Sequence, residues 1–539
     1  MFTPTHAKHG FLEGLYMKTQ LVAVATSLHA RGVLAPCAVF ATRLWRGSGR
    51  ALVFAKVAFW LNLLSERYDM SRNIVSFHAL PDRLTRHRDW AAGVRNVLEN
   101  RSPINLDDLR AAFAPRQPIG SKPDADRMIY VLSGSLPQMR SGYAYRAHGL
   151  MGGLSELGVK VTAVTRPGFP ADMAHLAGMA EASAIQSDVD DLRYHRIRSP
   201  LRTGQSALSY INSASHVLTE FMAGQKTAAV MAASNHMTAL PALIAARRLG
   251  LPFIYEVRGF WEITQASRDP AFARSLRYEN AVALESLAAQ EADRVVTLNQ
   301  PMADELVRRG VARDKIVLLP NACDPDKYAP RARDTDLARQ LRLDPQTPVI
   351  GFVGSFTAYE GLDDLLLACG VLRRRGIEFK LVLVGDEVIY NALQKPLMPR
   401  LRRLVVQEKL EKYVHFAGRV PSVDVPRWYS LIDIAPFARK PFAVSELVPP
   451  LKPVEAMAMC KAVIASDVGA LRDFIMDGQT GLIFPKGDIG AFAEMLERVL
   501  RDGALRHALG VRARDWVIEE RSWRHVAQNL QGLLHELSN

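Results

Sequence analysis

From Met128 onward the chain repeats one alternation: a short apolar run, a loop of small residues, then a segment with helical patterning. The first series contains the runs "MIYVLSGS", "VKVTAVT", "AAVMAAS", "PFIYEVRG" and "RVVTLN". Helical segments such as "YAYRAHGLMGGLSELG", "TALPALIAARRLG" and "MADELVRRG" lie between them. A second series starts near Pro348 with "PVIGFVGS" and continues through "FKLVLVGD", "VHFAGRV", "IDIAPFA", "KAVIASD" and "TGLIFP". Strands alternating with helices build parallel sheets covered on both faces. The spacing predicts an α/β fold with two tandem Rossmann-like, doubly wound domains. Ligands of such sheets bind in the crevice at the carboxyl ends of the strands.

The length of 539 residues agrees with several domains rather than one. We place a helical, basic N-terminal extension at 1–125, a first Rossmann-like domain at 126–335 and a second at 336–520. A C-terminal helix over 521–539 is positioned to cross back to the first domain. The polar, Pro- and Gly-containing "RQPIGSKPDADR" (Arg116–Arg127) reads as the linker after the extension. Residues 1–125 hold 17 Lys/Arg against 9 Asp/Glu, most of the chain's net charge of +13. Such a region suits nucleic acid, an anionic membrane surface or a phosphorylated substrate; the plain alternative is a solvated surface. Its apolar helical runs carry Trp45 and Trp60, and they are either a surface for an anionic membrane or simply core. No nucleic-acid motif is present. The apolar run Ala51–Leu64 contains Lys56 and falls short of the roughly 20 residues that span a bilayer. The N-terminus lacks the ordered regions of a signal peptide. Cys37, Cys323, Cys369 and Cys460 are scattered without metal-ligand spacing. These features predict a cytoplasmic protein, attached peripherally at the inner membrane if the extension binds lipid.

The order and spacing of "GFVGSFTAYEGLDDLL", "LVLVGD", "VHFAGRV", "KPVEAMAMCKAVIASDVGALRDFI" and "DGQTGLIFPKGD" resemble retaining glycosyltransferases of the GT-B fold, family 4, also called glycosyl transferases group 1. The wording "PLKPVE" is similar to a subset with a PLKxxE donor-site motif. The resemblance covers Met128 to the C-terminus and is strongest from Gly351 to Asp488. It implies sugar transfer from a nucleotide-sugar donor to a glycan or lipid-linked acceptor, in surface polysaccharide or glycoconjugate biosynthesis. The donor would bind the second domain and the acceptor the first, with retention, no metal and no cofactor. Asp363 and Asp364 then read as helix-start charges rather than metal ligands.

The same resemblance assigns residues. Glu455 matches the glutamate that binds the donor ribose. Glu446 has eight residues between it and Glu455, one more than the family spacing, and would face the donor sugar. Many members carry two cations in the glycine loop, where this chain has Ser355 and Glu360. Arg439 and Lys452 are therefore expected to face the donor diphosphate, with Lys440 a solvated neighbour. Fixed cations there stabilise the charge that builds on a leaving diphosphate. Gly354, Ser355, Val454 and Gly142 complete the expected donor site; Ser141 precedes Gly142 where members usually have a second glycine. "DVGALRD" departs from the family at Ala470 and Asp473.

In the first domain, polar residues after predicted strands face the crevice. Arg258 is expected at phosphate and Glu262 at an acceptor hydroxyl, both with catalytic roles. Asn235, His236 and Glu256 are expected to bind the acceptor. The alternative for each is an ordinary loop polar group. Retention in this fold needs no protein nucleophile, and none is assigned. Two other function classes remain: a nucleotide-sugar epimerase on the same fold, and a non-catalytic basic binding protein.

Overall fold

The computed structural model describes residues 34–47, 52–64, scattered positions between 70 and 91, 104–113, 124–173, 185–387 and 396–538. Much of the proposed extension lies outside the described residues. The chain divides into two units, one of residues 1–105 and 202–210, the other of residues 106–201 and 211–539.

In the first unit the helices Leu34–Gly47 and Leu52–Leu64 pack on each other. Ala38, Ala41, Trp45, Ala55, Ala58 and Phe59 form its core, with Trp60 packed against them. The Trp45 indole donates to His78 at 3.2 Å. Of the two readings of these runs, Trp45 takes the second: the apolar repeat buries it in the core of its own unit. Among the described residues no helix is long and apolar enough to cross a membrane.

The second unit holds two sheets. The first has the order β3-β4-β2-β1-β5-β6-β7-β8. Its strands are β1 (Arg127–Leu132), β2 (Lys160–Thr165), β3 (Gln186–Val189), β4 (Leu192–His195), β5 (Ala229–Ala233), β6 (Phe253–Val257), β7 (Arg294–Thr297) and β8 (Ile316–Leu318). All pairings are parallel except β3 with β4 at the edge. The second sheet has the order β11-β10-β9-β12-β13-β14 and is parallel throughout. Its strands are β9 (Val349–Val353), β10 (Lys380–Val384), β11 (Val414–Gly418), β12 (Ile434–Phe437), β13 (Ala462–Ser466) and β14 (Leu482–Phe484). The central strands β5, β6, β9 and β13 are buried along their whole length, which explains their unbroken apolar runs. Strand order reverses at β1/β5 and at β9/β12, so each sheet opens a crevice there, at its carboxyl end.

The helix Trp523–Ser538 leaves the second domain and packs on Gly142–Glu156 of the first. Val526, Leu530 and Leu534 share a core with Leu150 and Leu154. The small residues of "GLMGGL" make this approach possible. A Cβ at Gly149 would lie 2.2 Å from the Trp523 indole nitrogen, and one at Gly153 would lie 2.4 Å from the Trp523 carbonyl oxygen. The returning chain runs beside the outgoing one: Cys323 N donates to Arg521 O at 2.9 Å, and Trp523 N donates to Cys323 O at 3.2 Å.

Candidate active site

The second-domain half of the crevice is built from the turn after β9, the end of β12 and the start of the helix Lys452–Ala458. Lys452 opens that helix with Pro453 beside it, whose fixed φ suits a first turn. Its ammonium lies 3.0 Å from Glu360 Oε1 and 4.8 Å above the Phe352 ring. The aliphatic stem crosses Gly354, where a Cβ would sit 2.1 Å from Lys452 Cε. Gly354 also has φ +148°, a conformation open to glycine. Arg439 approaches Glu360 Oε1 at 3.9 Å from the other side, and its Nη1 donates to Val448 O at 2.8 Å. Burial alone would push the Glu360 carboxyl up. Lys452 and then Arg439 outweigh burial and hold it below the usual carboxylate range. Glu360 Oε2 is buried without a hydrogen bond.

Glu455 lies one turn further along, half-buried, with Oε1 accepting from the Tyr328 hydroxyl at 3.0 Å. Burial raises its carboxyl; Tyr328, Lys327 and Lys452 only partly oppose that. Glu446 pairs with Lys486 at 2.7 Å and accepts from Gly469 N at 2.8 Å. Ser355 is exposed at the end of the turn after β9. Val454 is fully buried in the second-domain core, so a donor could meet only its backbone, and even its carbonyl is approached by Cys323 Sγ at 3.8 Å. Lys440 pairs with Asp363 and Asp364 at 2.7 and 3.0 Å.

The first-domain half is held by a buried charge network. Glu256 Oε1 accepts from Arg146 Nε at 3.0 Å, and Oε2 accepts from Arg258 Nε at 2.6 Å. The Tyr130 hydroxyl donates to Glu256 Oε2 and accepts from Arg258 Nη2. Arg258 Nη1 donates to Tyr143 O at 2.7 Å. Burial raises the Glu256 carboxyl, but Arg258 and Arg146 more than offset that, leaving it ionised and low. This corrects three assignments. Glu256 is wholly buried and cannot meet an acceptor. Arg258 directs its nitrogens into the network and supports the loop backbone rather than a phosphate. Glu262 is buried against Arg309 at 2.7 Å, away from an acceptor hydroxyl. A polar residue after a strand looks the same in sequence whether it turns outward or inward.

Gly142 starts its helix behind the Ser141 cap, and a Cβ there would lie 3.5 Å from Leu451 of the second domain. Asn235 caps the helix His236–Arg248, its side chain accepting from Met237 N at 3.2 Å. His236 Nδ1 lies 3.0 Å from Glu285 Oε1.

The two halves meet at residues 447–449. Asn299 Nδ2 donates to Leu447 O at 3.0 Å, and Asn321 Nδ2 donates to Pro449 O at 2.9 Å. Asn321 Oδ1 accepts from Arg146 Nη1 at 3.1 Å, which links the buried network to the segment before Lys452. Sequence reading missed Glu360 as an anchor, and it missed Tyr328 and both asparagines. The acid at 360 opposite a lysine at 452 was the available signal; the asparagines gave none, because the partners of their amide nitrogens are backbone carbonyls.

Residues 334–516 match the family described as Glycosyl transferases group 1, and residues 141–322 match the one described as Glycosyl transferase 4-like domain. Together these take in the second sheet and all of the first but β1. The chain belongs to the GT-B glycosyltransferases. This glycosyltransferase is 26% identical to the alpha-maltose-1-phosphate synthase of Mycolicibacterium smegmatis, over 48% of this chain and 67% of that one. It is 30% identical to the D-inositol 3-phosphate glycosyltransferase of Nocardia farcinica, over 44% of this chain and 52% of that protein's length. The fold of the sucrose-phosphate synthase from Thermosynechococcus elongatus superposes with a TM-score of 0.61 at 20% identity, covering 76% of this chain and 99% of that one.

Proposed function

We propose that this chain transfers a sugar from a nucleotide-sugar donor to a glycan or lipid-linked acceptor, with retention of configuration and without a metal or other cofactor. The observation that carries this reading is the Lys452–Glu360–Arg439 cluster beside Gly354 at the carboxyl end of β9. A diphosphate leaving group gains negative charge as its bond to the sugar breaks. Lys452, whose side chain keeps 19% exposure, offers a cation that strengthens its hold in the transition state. That is the electrostatic work a divalent cation does elsewhere. Glu455 uses one oxygen on Tyr328 and has the other for ribose hydroxyls.

The acceptor hydroxyl attacks from the face the diphosphate leaves. The bond from the anomeric carbon to the phosphate oxygen breaks, the bond to the acceptor oxygen forms, and the acceptor proton passes to the departing diphosphate. The protein contributes position and charge rather than a nucleophile. On the strength of the family resemblance we assign the acceptor to surface polysaccharide or glycoconjugate precursors assembled in the cytoplasm.

The test is a thermal-shift screen of the full chain against UDP, GDP, ADP and their sugar conjugates. Ligand at about 100 times its Kd stabilises by about 2.7 kcal/mol. NMR of the product then reads the anomeric configuration, and activity is expected to persist in EDTA. No shift with any of these ligands overturns the reading.

A further inference from the structure

We infer that Trp261, stacked on Tyr143, forms the platform on which the acceptor presents a sugar ring. This rests on the glycosyl-transfer reading and names a subsite within it. Trp261 is 47% exposed, although a buried indole would gain more from the hydrophobic effect. Its orientation is nonetheless fixed. The ring stacks on Tyr143 with centroids 5.8 Å apart and planes 27° from parallel. Tyr143 is held in turn by Arg258 through its carbonyl, and a Cβ at Gly259 would lie 3.1 Å from its hydroxyl.

The location favours an acceptor. Tyr143 follows β1 and Trp261 follows β6, both at the carboxyl ends of first-domain strands. Their neighbours face the donor half directly. A Cβ at Gly142 would be 3.5 Å from Leu451, and one at Gly259 would be 3.5 Å from Val448. The helix Trp261–Arg268 also packs on Ala443–Leu447 of the second domain. The platform therefore borders the segment that leads into Lys452.

The chemistry selects a pyranose. The face of an indole is electronegative, and one face of a sugar ring presents a set of weakly positive C–H bonds. The hydroxyls around that ring remain at the rim, and His236 opens the helix that follows the adjacent strand β5. An exposed but rigid tryptophan gives area at low entropic cost.

The test reads binding without turnover. Saturation-transfer NMR of the full chain uses methyl β-glucoside, methyl α-mannoside and methyl N-acetyl-β-glucosaminide as probes. We expect saturation of the ring C–H protons of at least one glycoside, a roughly tenfold weaker affinity in Trp261→Ala, and recovery of most of it in Trp261→Phe. Thermal shifts with UDP and GDP should be the same in all three proteins. Absence of binding for every probe overturns the inference, as does equal binding in Trp261→Ala. A loss of nucleotide binding in Trp261→Ala also overturns it, since the residue would then act through the fold. Failure of wild type to bind nucleotide while glycoside binding depends on Trp261 would instead overturn the donor reading alone.

Discussion

The Lys452 ammonium lies 3.0 Å from Glu360, so the helix supplies the cation and the glycine loop supplies the anion. Where many members of the family it resembles carry cations in that loop, this chain has Ser355 and Glu360 there. Glu360→Ala leaves Lys452 and Arg439 without their carboxylate. Removing one partner of a buried pair costs about 3 kcal/mol. A nucleoside diphosphate can take the carboxylate's place, so UDP or GDP should raise the Tm more in Glu360→Ala than in wild type. Equal shifts would show that the diphosphate does not reach these cations. The sign with pH follows from the low carboxyl of Glu360. Its contribution is complete above the ordinary glutamate pKa and is lost as pH falls through the folded value, so the variant should lose part of its acid sensitivity.

Lys452→Ala is expected to lower kcat by about 100-fold, as loss of a transition-state charge donor does, with a smaller change in donor affinity. Gly354→Ala should reproduce that split without removing any charge, because the new Cβ would occupy the path of the Lys452 stem. Steady-state kinetics and Tm of both variants check this. Full turnover in Gly354→Ala would mean that Lys452 works from some other position.

Glu455→Ala should weaken donor binding by roughly 10- to 100-fold, the worth of hydrogen bonds to a charged group. Burial raises the Glu455 carboxyl, so it protonates at a higher pH than an ordinary glutamate. Ribose hydroxyls favour the ionised acceptor. Donor affinity should therefore fall on acidification before ordinary carboxylates titrate, and Glu455→Gln should flatten that profile. Calorimetry across the acid range measures it.

Asn321→Asp keeps an acceptor for Arg146 but removes the donor to Pro449. We expect a Tm above that of Asn321→Ala, yet a clear loss of turnover, since the segment before Lys452 loses its hold on the first domain. An unpaired buried carbonyl costs about 1–3 kcal/mol. Wild-type kcat in Asn321→Asp would show that this bond serves stability only.

The two sheets were legible in the sequence because a fully buried parallel strand leaves a continuous apolar run, as in "PVIGFVGS". In the second domain the spacing alone put Lys452 and Glu455 on one face of one short helix, and the structure has them there. The first-domain half was not. Glu256 and Arg258 lie two apart on an extended segment and turn to one side, toward Tyr130 and Arg146, which come from distant parts of the chain. Nothing local distinguishes that side from the crevice. Val454 fails for the opposite reason: it lies between Lys452 and Glu455 on the same helix but faces the core.

The backbone crosses between the domains near Cys323 and returns near Ser522, and the two crossings are hydrogen-bonded side by side. Beyond that crossing, Val526, Leu530 and Leu534 complete the core around Leu150 and Leu154. A chain cut before Trp523 would leave Leu150 and Leu154 facing water, at a cost of about 1.5–3 kcal/mol for each side chain uncovered. The first domain is therefore finished only after the second has been synthesised, and the order of assembly is not the order of the chain.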